Sequence, residues 1–85
     1  MIKQQGHDGT YVLVDDPSQM PVAIGEEVCS QDGHGMTTAY KLEGGRAPHK
    51  PGSTGRIWVR ESPEHHQCEY FPNVCNLAWV REDHL

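Results

Sequence analysis

The sequence has no apolar stretch approaching the roughly 18 residues that a membrane span requires, and its first residues, MIKQQGHDGT, hold no apolar core of a signal peptide. The expectation is a chain that begins at Met1 and works in a cytoplasm. Paired cysteines are missing too: three thiols, an odd number without paired spacing, give no disulfide framework and fit a reducing compartment. Positive charge is scarce, with seven Lys and Arg against twelve Asp and Glu and a formal charge of −5. That balance argues against non-specific binding along a nucleic-acid backbone, which needs a broad basic face. Large apolar residues are few as well, with one Phe, two Trp and three Tyr in 85 residues, enough for one thin core in one small domain.

No window supports a helix, and there are no repeats or low-complexity tracts. Nine Gly and six Pro cut the apolar residues into short runs, the length and punctuation of strands. Strands are predicted over Thr10 to Val14, Glu26 to Ser30, Met36 to Glu43, Gly55 to Arg60, Cys68 to Phe71 and Leu77 to Arg81. In the third, Met36, Thr38, Tyr40 and Leu42 share the expected core face, with Thr37, Ala39, Lys41 and Glu43 opposite. In GRIWVR, Ile57 and Val59 are expected inside and Trp58 on a partly exposed face. QDGHG, around Gly33 and Gly35, reads as a hairpin connection, and DDPSQMP as an irregular arm. The fold class expected is mostly β, a small antiparallel barrel of five to six short strands, which removes exposed sheet edges at this size.

From Gly25 onward the order of elements resembles an SH3-like barrel. GEEV is similar to the opening strand of that fold, and EYFPNVCNLAWV to its ending, a strand, one helical turn beginning at Pro72 and a last short strand. The resemblance implies a single domain, residues 25–81 forming the barrel and 1–24 an N-terminal strand and irregular arm. PGSTGRIWVR together with EYFPNVCNLAWV also resembles small uncharacterised proteins carried by bacteriophages and prophages, which implies a bacterial or viral setting and brings no activity. Peptide-binding SH3 domains have an acidic first loop and an aromatic groove. Before Met36 stand Glu26, Glu27 and Asp32 but no aromatic cluster, which speaks against recognition of proline-rich peptides.

Several chemistries are weighed and set aside. His65, His66 and Cys68, with Cys29, His34 or Cys75, hold zinc-binding atom types, but the spacing matches no paired ligand module. The alternative is an exposed turn carrying the histidines, with Cys68 and Cys75 as small core residues. No helix is present to lower a cysteine pKa for nucleophilic catalysis, and no metal, cofactor or catalytic residue is assigned. In GGRAPHKPGSTG, Lys50 precedes Pro51 and strands flank both sides, unlike a phosphate-binding loop between strand and helix.

What remains is a stiff cationic connection. Pro48 and Pro51 restrict the stretch from Gly44 to Arg56, and Arg46, Lys50 and Arg56 have no acid between Glu43 and Glu61. A connection of about a dozen residues is long for so small a domain, and such loops often carry function. Among the aromatics, Phe71 and Trp79 are assigned to the core, leaving Trp58 and Tyr70 exposed. The reading is therefore a non-enzymatic binding module whose contact residues are Arg46, His49, Lys50, Arg56, Trp58 and Tyr70. The partner expected is a protein. The alternatives are a barrel for single-stranded nucleic acid, and a structural subunit or homo-oligomer closed through an edge strand such as TYVLV.

Overall fold

The computed structural model describes residues 1–31 and 33–85. Asp32, one of the acids placed before Met36 and part of the QDGHG turn, lies outside the described residues. Among the described residues seven strands form, in chain order β1 (Lys3–Gln5), β2 (Thr10–Asp15), β3 (Glu27–Gln31), β4 (Thr37–Arg46), β5 (Arg56–Arg60), β6 (Cys68–Tyr70) and β7 (Leu77–Arg81). A single 3₁₀ turn, Pro72–Cys75, begins at the expected proline, and a second, Glu82–His84, follows β7. All pairings are antiparallel and fall into two sheets, β1-β2-β7 and β3-β4-β5-β6. Among the described residues no strand ladder joins the sheets, so the expected closed barrel is not found.

One core lies between them. Leu13, Leu42, Ile57 and Val59 are fully buried there, with Ile2, Tyr11, Val22, Val28, Leu77 and Trp79 around them. Each of the larger aliphatic side chains contributes roughly 1.5–3 kcal/mol by leaving water. Ile57 and Val59 point inward as their alternation with Trp58 demands. On β4 the expected face is present but graded: Leu42 is buried, Tyr40 and Thr38 are half-buried, and Met36, outside the strand, is 68% exposed.

Three expectations are corrected. Residues 1–24 are not an addition to the core, because β2 is the middle strand of its sheet and Ile2, Tyr11, Leu13 and Val22 all reach the core. The same position rules out TYVLV as an edge strand for self-association. The arm after β2 is also tied down: Asp15 N–H donates to Met20 O, Val14 bridges Pro21, and Gly25 N–H donates to Leu42 O, so the segment passes from one sheet to the other.

The third correction concerns the long connection. Gly44, Gly45 and Arg46 belong to β4 and Arg56 to β5, which leaves only residues 47–55 as loop. The two tryptophans explain why consecutive glycines sit in a strand. A Cβ on Gly44 would lie 3.1 Å from the Trp58 ring on the outer face, and one on Gly45 would lie 2.9 Å from the Trp79 ring on the core face. Trp79 spans onward to Gly55, where a Cβ would stand 2.6 Å from the indole and 2.5 Å from Arg46 O, at a φ of 79°. The indole Nε1–H donates to Arg56 O at 3.0 Å. Trp79 thus comes from one sheet and closes the base of the loop in the other.

This packing separates two glycines of similar backbone conformation. Gly55→Ala meets both the positive φ and the Trp79 ring, whereas Gly52, at φ 85°, faces open space. The expected cost of Gly52→Ala is about 1–2 kcal/mol of conformational strain, and that of Gly55→Ala at least about 1 kcal/mol more from overpacking; denaturant melts of the two variants check the difference.

Candidate functional site

The chemistry-bearing side chains gather on the outer face of β4, β5 and β6 and on the loop beside it. On β5, Arg56, Trp58 and Arg60 alternate with the buried Ile57 and Val59 and therefore face outward. On β4 a bulge sets the phase: Leu42 pairs with Val59, but Gly44 pairs with Trp58, so Glu43 is the extra residue. An added residue shifts side-chain parity. As a result Lys41, opposite Arg60, and Arg46, opposite Arg56, share the outer face although five positions separate them.

Two like-charged pairs therefore stand directly across the strands, an arrangement that costs roughly 0.2–1 kcal/mol each. Carboxylates relieve one member of each. Glu43 accepts from Arg60 Nε at 3.0 Å and from Gln67 Nε2 at 2.7 Å, and Glu69 lies 3.9 Å from Arg56 Nε. Elsewhere Lys3 pairs with Glu82, and Arg81 with Asp8 and Asp83. Lys41, Arg46 and Lys50 make no ion pair among the described residues. The sparse positive charge of this acidic chain is thus concentrated on one surface, where Glu43 and Glu69 pair two of the arginines and Glu27 stands opposite Lys41.

The loop is shaped by its prolines and one glycine. Lys50-Pro51-Gly52-Ser53 has Pro at the second position, Gly with φ 85° at the third and a Ser53 N–H to Lys50 O bond of 3.1 Å, the features of a type II turn. Pro48 is buried, and its carbonyl accepts from His7 N–H at 3.0 Å with His7 Nδ1 at 3.3 Å. His49, Lys50 and Pro51 are exposed. Held at both ends, the loop presents these side chains beside Arg56.

The aromatics are where sequence reasoning and structure part. Trp79 is in the core, but Phe71 is 52% exposed, and the Arg56 guanidinium lies over its ring at 4.1 Å from the centroid. Tyr70 is half-buried and turns the other way, since it pairs with the inward Ile57. Its hydroxyl is 3.2 Å from that of Tyr40, the rings meeting edge to face, and this contact raises the Tyr70 pKa well above the usual 10. Of the expected contact residues, Arg46, His49, Lys50, Arg56 and Trp58 lie on one side of the molecule, while Tyr70 lies beneath the sheet and Phe71 takes its place. The signal was available: Phe71 has the same parity as Glu69, which no strand would bury unpaired. Open clefts flank the Phe71 ring, one of about 440 Å³ bordered by Tyr11, Pro48 and Trp79, the other of about 660 Å³ bordered by His49, Lys50 and Arg56.

The cysteine and histidine candidates lie elsewhere. His65 and His66 occupy an exposed turn, where His65 Nε2 is 3.1 Å from Glu61; Cys68 is half-buried against the core. Cys75 is buried, and burial pushes its thiol up to about 11, away from the thiolate form. Among the described residues no three His, Cys, Asp or Glu side chains converge on a metal-sized site, and no helix is long and apolar enough to cross a membrane. No protein-family model, curated protein or solved structure matches the chain.

Glu43 is the extra residue of the bulge, and the link of its carboxylate to folding is testable by pH. The Arg60 bond first, then the Gln67 bond, hold its carboxyl below the ordinary 4.5. A depressed folded pKa gives stability that is present above the unfolded value and lost as pH falls through the folded one. Glu43→Gln should therefore lose less melting temperature than the wild type between pH 6 and pH 3; equal losses would remove the link.

Proposed function

We propose that the protein is a non-enzymatic binding module that takes an acidic protein partner on the outer face of β4–β6 and the adjoining loop. The observation that carries this reading is Arg46 set directly opposite Arg56, with Arg56 stacked on the exposed Phe71. A like-charged cross-strand pair weakens the sheet, and an exposed Phe capped by Arg has the composition of an interface hot spot. Carboxylates of a partner would relieve the repulsion, and bidentate guanidinium contacts suit them. The formal charge of −5 favours a protein over a nucleic acid, whose phosphates the rest of the surface would repel.

The SH3-like reading belongs to the same proposal. It rests on the order of β3, β4, the 47–55 connection, β5, β6, the turn at Pro72 and β7. The proposed setting, a bacterial or phage cytoplasm, rests on the sequence likeness alone.

The test is capture from a nuclease-treated bacterial lysate by the wild type and by the double variant Arg46→Thr, Lys50→Thr. Both side chains are exposed and unpaired, and removing Arg46 relieves repulsion, so the variant should melt no lower than the wild type. Proteins held by the wild type and lost by the folded variant are the expected result. Retention of the same proteins would refute the surface.

A further inference from the structure

We infer that this surface receives an extended acidic segment with two carboxylates four residues apart and an apolar side chain midway between them. The inference rests on the binding reading above and specifies the partner's chemistry. Its basis is the register of β4 against β5. Arg56 and Arg60 are four strand positions apart, about 13 Å at 3.3 Å per residue, and Arg46 and Lys41 stand opposite them. Two pairs of cations therefore mark the ends of a track about 13 Å long. The free members, Lys41 and Arg46, lie at opposite ends of the track on one strand.

Between them stands an apolar patch on the β4 side of Trp58, with Glu69 of β6 across from Trp58 on the other side. Trp58 sits at the midpoint, about 6.6 Å from either end, and its ring covers Gly44. Ile24, 60% exposed, reaches the same spot, its Cδ1 3.9 Å from the position of a Gly44 Cβ. Gly44 leaves the middle of the track low enough for a side chain to rest on the indole and on Ile24. An extended chain repeats its side-chain direction every second residue. Residues i and i+4 of such a chain then meet the cation pairs, while residue i+2 meets Trp58. A helical segment matches less well, because its i and i+4 side chains are only about 6 Å apart.

The charge pattern fits a carboxylate segment in a further respect. Glu43 and Glu69 already border the track and neutralise one arginine at each end. With Glu27 of β3 standing opposite Lys41, each end offers a carboxylate one cation that makes no ion pair among the described residues, Arg46 or Lys41, and not the continuous positive groove that a phosphate backbone takes.

The experiment uses fluorescence anisotropy at low salt with three labelled probes. The first is a serine/threonine peptide with two glutamates four residues apart and a valine midway. The second is its isomer with the glutamates adjacent, and the third is an oligothymidylate. The spaced peptide should bind about fivefold tighter than its isomer and about fivefold tighter than it binds the folded Lys41→Ala, Arg46→Ala variant, the effect of two exposed ion pairs. Equal affinity for the two peptides would overturn the spacing while leaving the acidic-partner reading in place. If neither peptide binds but lysate capture still depends on Arg46 and Lys50, the inference alone falls. Tighter binding of the oligothymidylate than of either peptide would overturn both.

Discussion

The indole of Trp79 lying against Gly45 and Gly55 is the contact on which the arrangement depends. Among the described residues no strand ladder joins the sheets, so beyond the backbone bonds of the arm after β2 their alignment rests on side chains, and Trp79 is the large residue of β7 that reaches both borders of the 47–55 loop. Its ring fits only because neither glycine has a Cβ, and its N–H satisfies the Arg56 carbonyl in a partly buried position where an unpaired group would be costly. Local sequence and long-range packing act together here: glycines that admit close approach, Gly55 also holding a positive φ, let an aromatic ring set the separation of two strands.

The outer surface follows from that alignment. With Gly45 held inward, Gly44 must face outward, and Trp58 lies across it. The bulge at Glu43 then restores inward parity for Leu42 while leaving Lys41 and Arg46 on the outer side. A folded chain gains nothing in stability from like charges set opposite one another, and only about 0.5–1 kcal/mol from a half-exposed Phe under an arginine. The core accounts for the inner face; the outer face is the one on which the proposed carboxylate partner rests.

Much of this was legible in the sequence. The strand Leu77–Arg81 and the inward Ile57 and Val59 are present as expected, because alternation acts locally, and the turn at Pro72 is present as the SH3-like resemblance implied. The end of β4 was not legible, since Gly44 and Gly45 look like loop residues until the two tryptophans that cover them are placed. β1 escaped for the opposite reason: Lys3, Gln4 and Gln5 are all exposed and hold their strand by pairing with β2, with no apolar pattern to reveal it. The cations of the site were found from charge alone, but Tyr70 and Phe71 were exchanged. Size suggested burying Phe71, whereas pairing with Ile57 turned Tyr70 inward and the Tyr40 hydroxyl supplied its partner.

The most direct measurement of the central claim is native-state amide hydrogen exchange of the wild type and of Trp79→Phe. That substitution keeps a ring in the core and removes the bond to Arg56 O. If Trp79 closes the loop base, protection should fall together at the end of β4 and the start of β5, while β1 and the amides joining it to β2 keep theirs. Unchanged protection across residues 45–57 would contradict the claim and leave the outer surface without the support assigned to it.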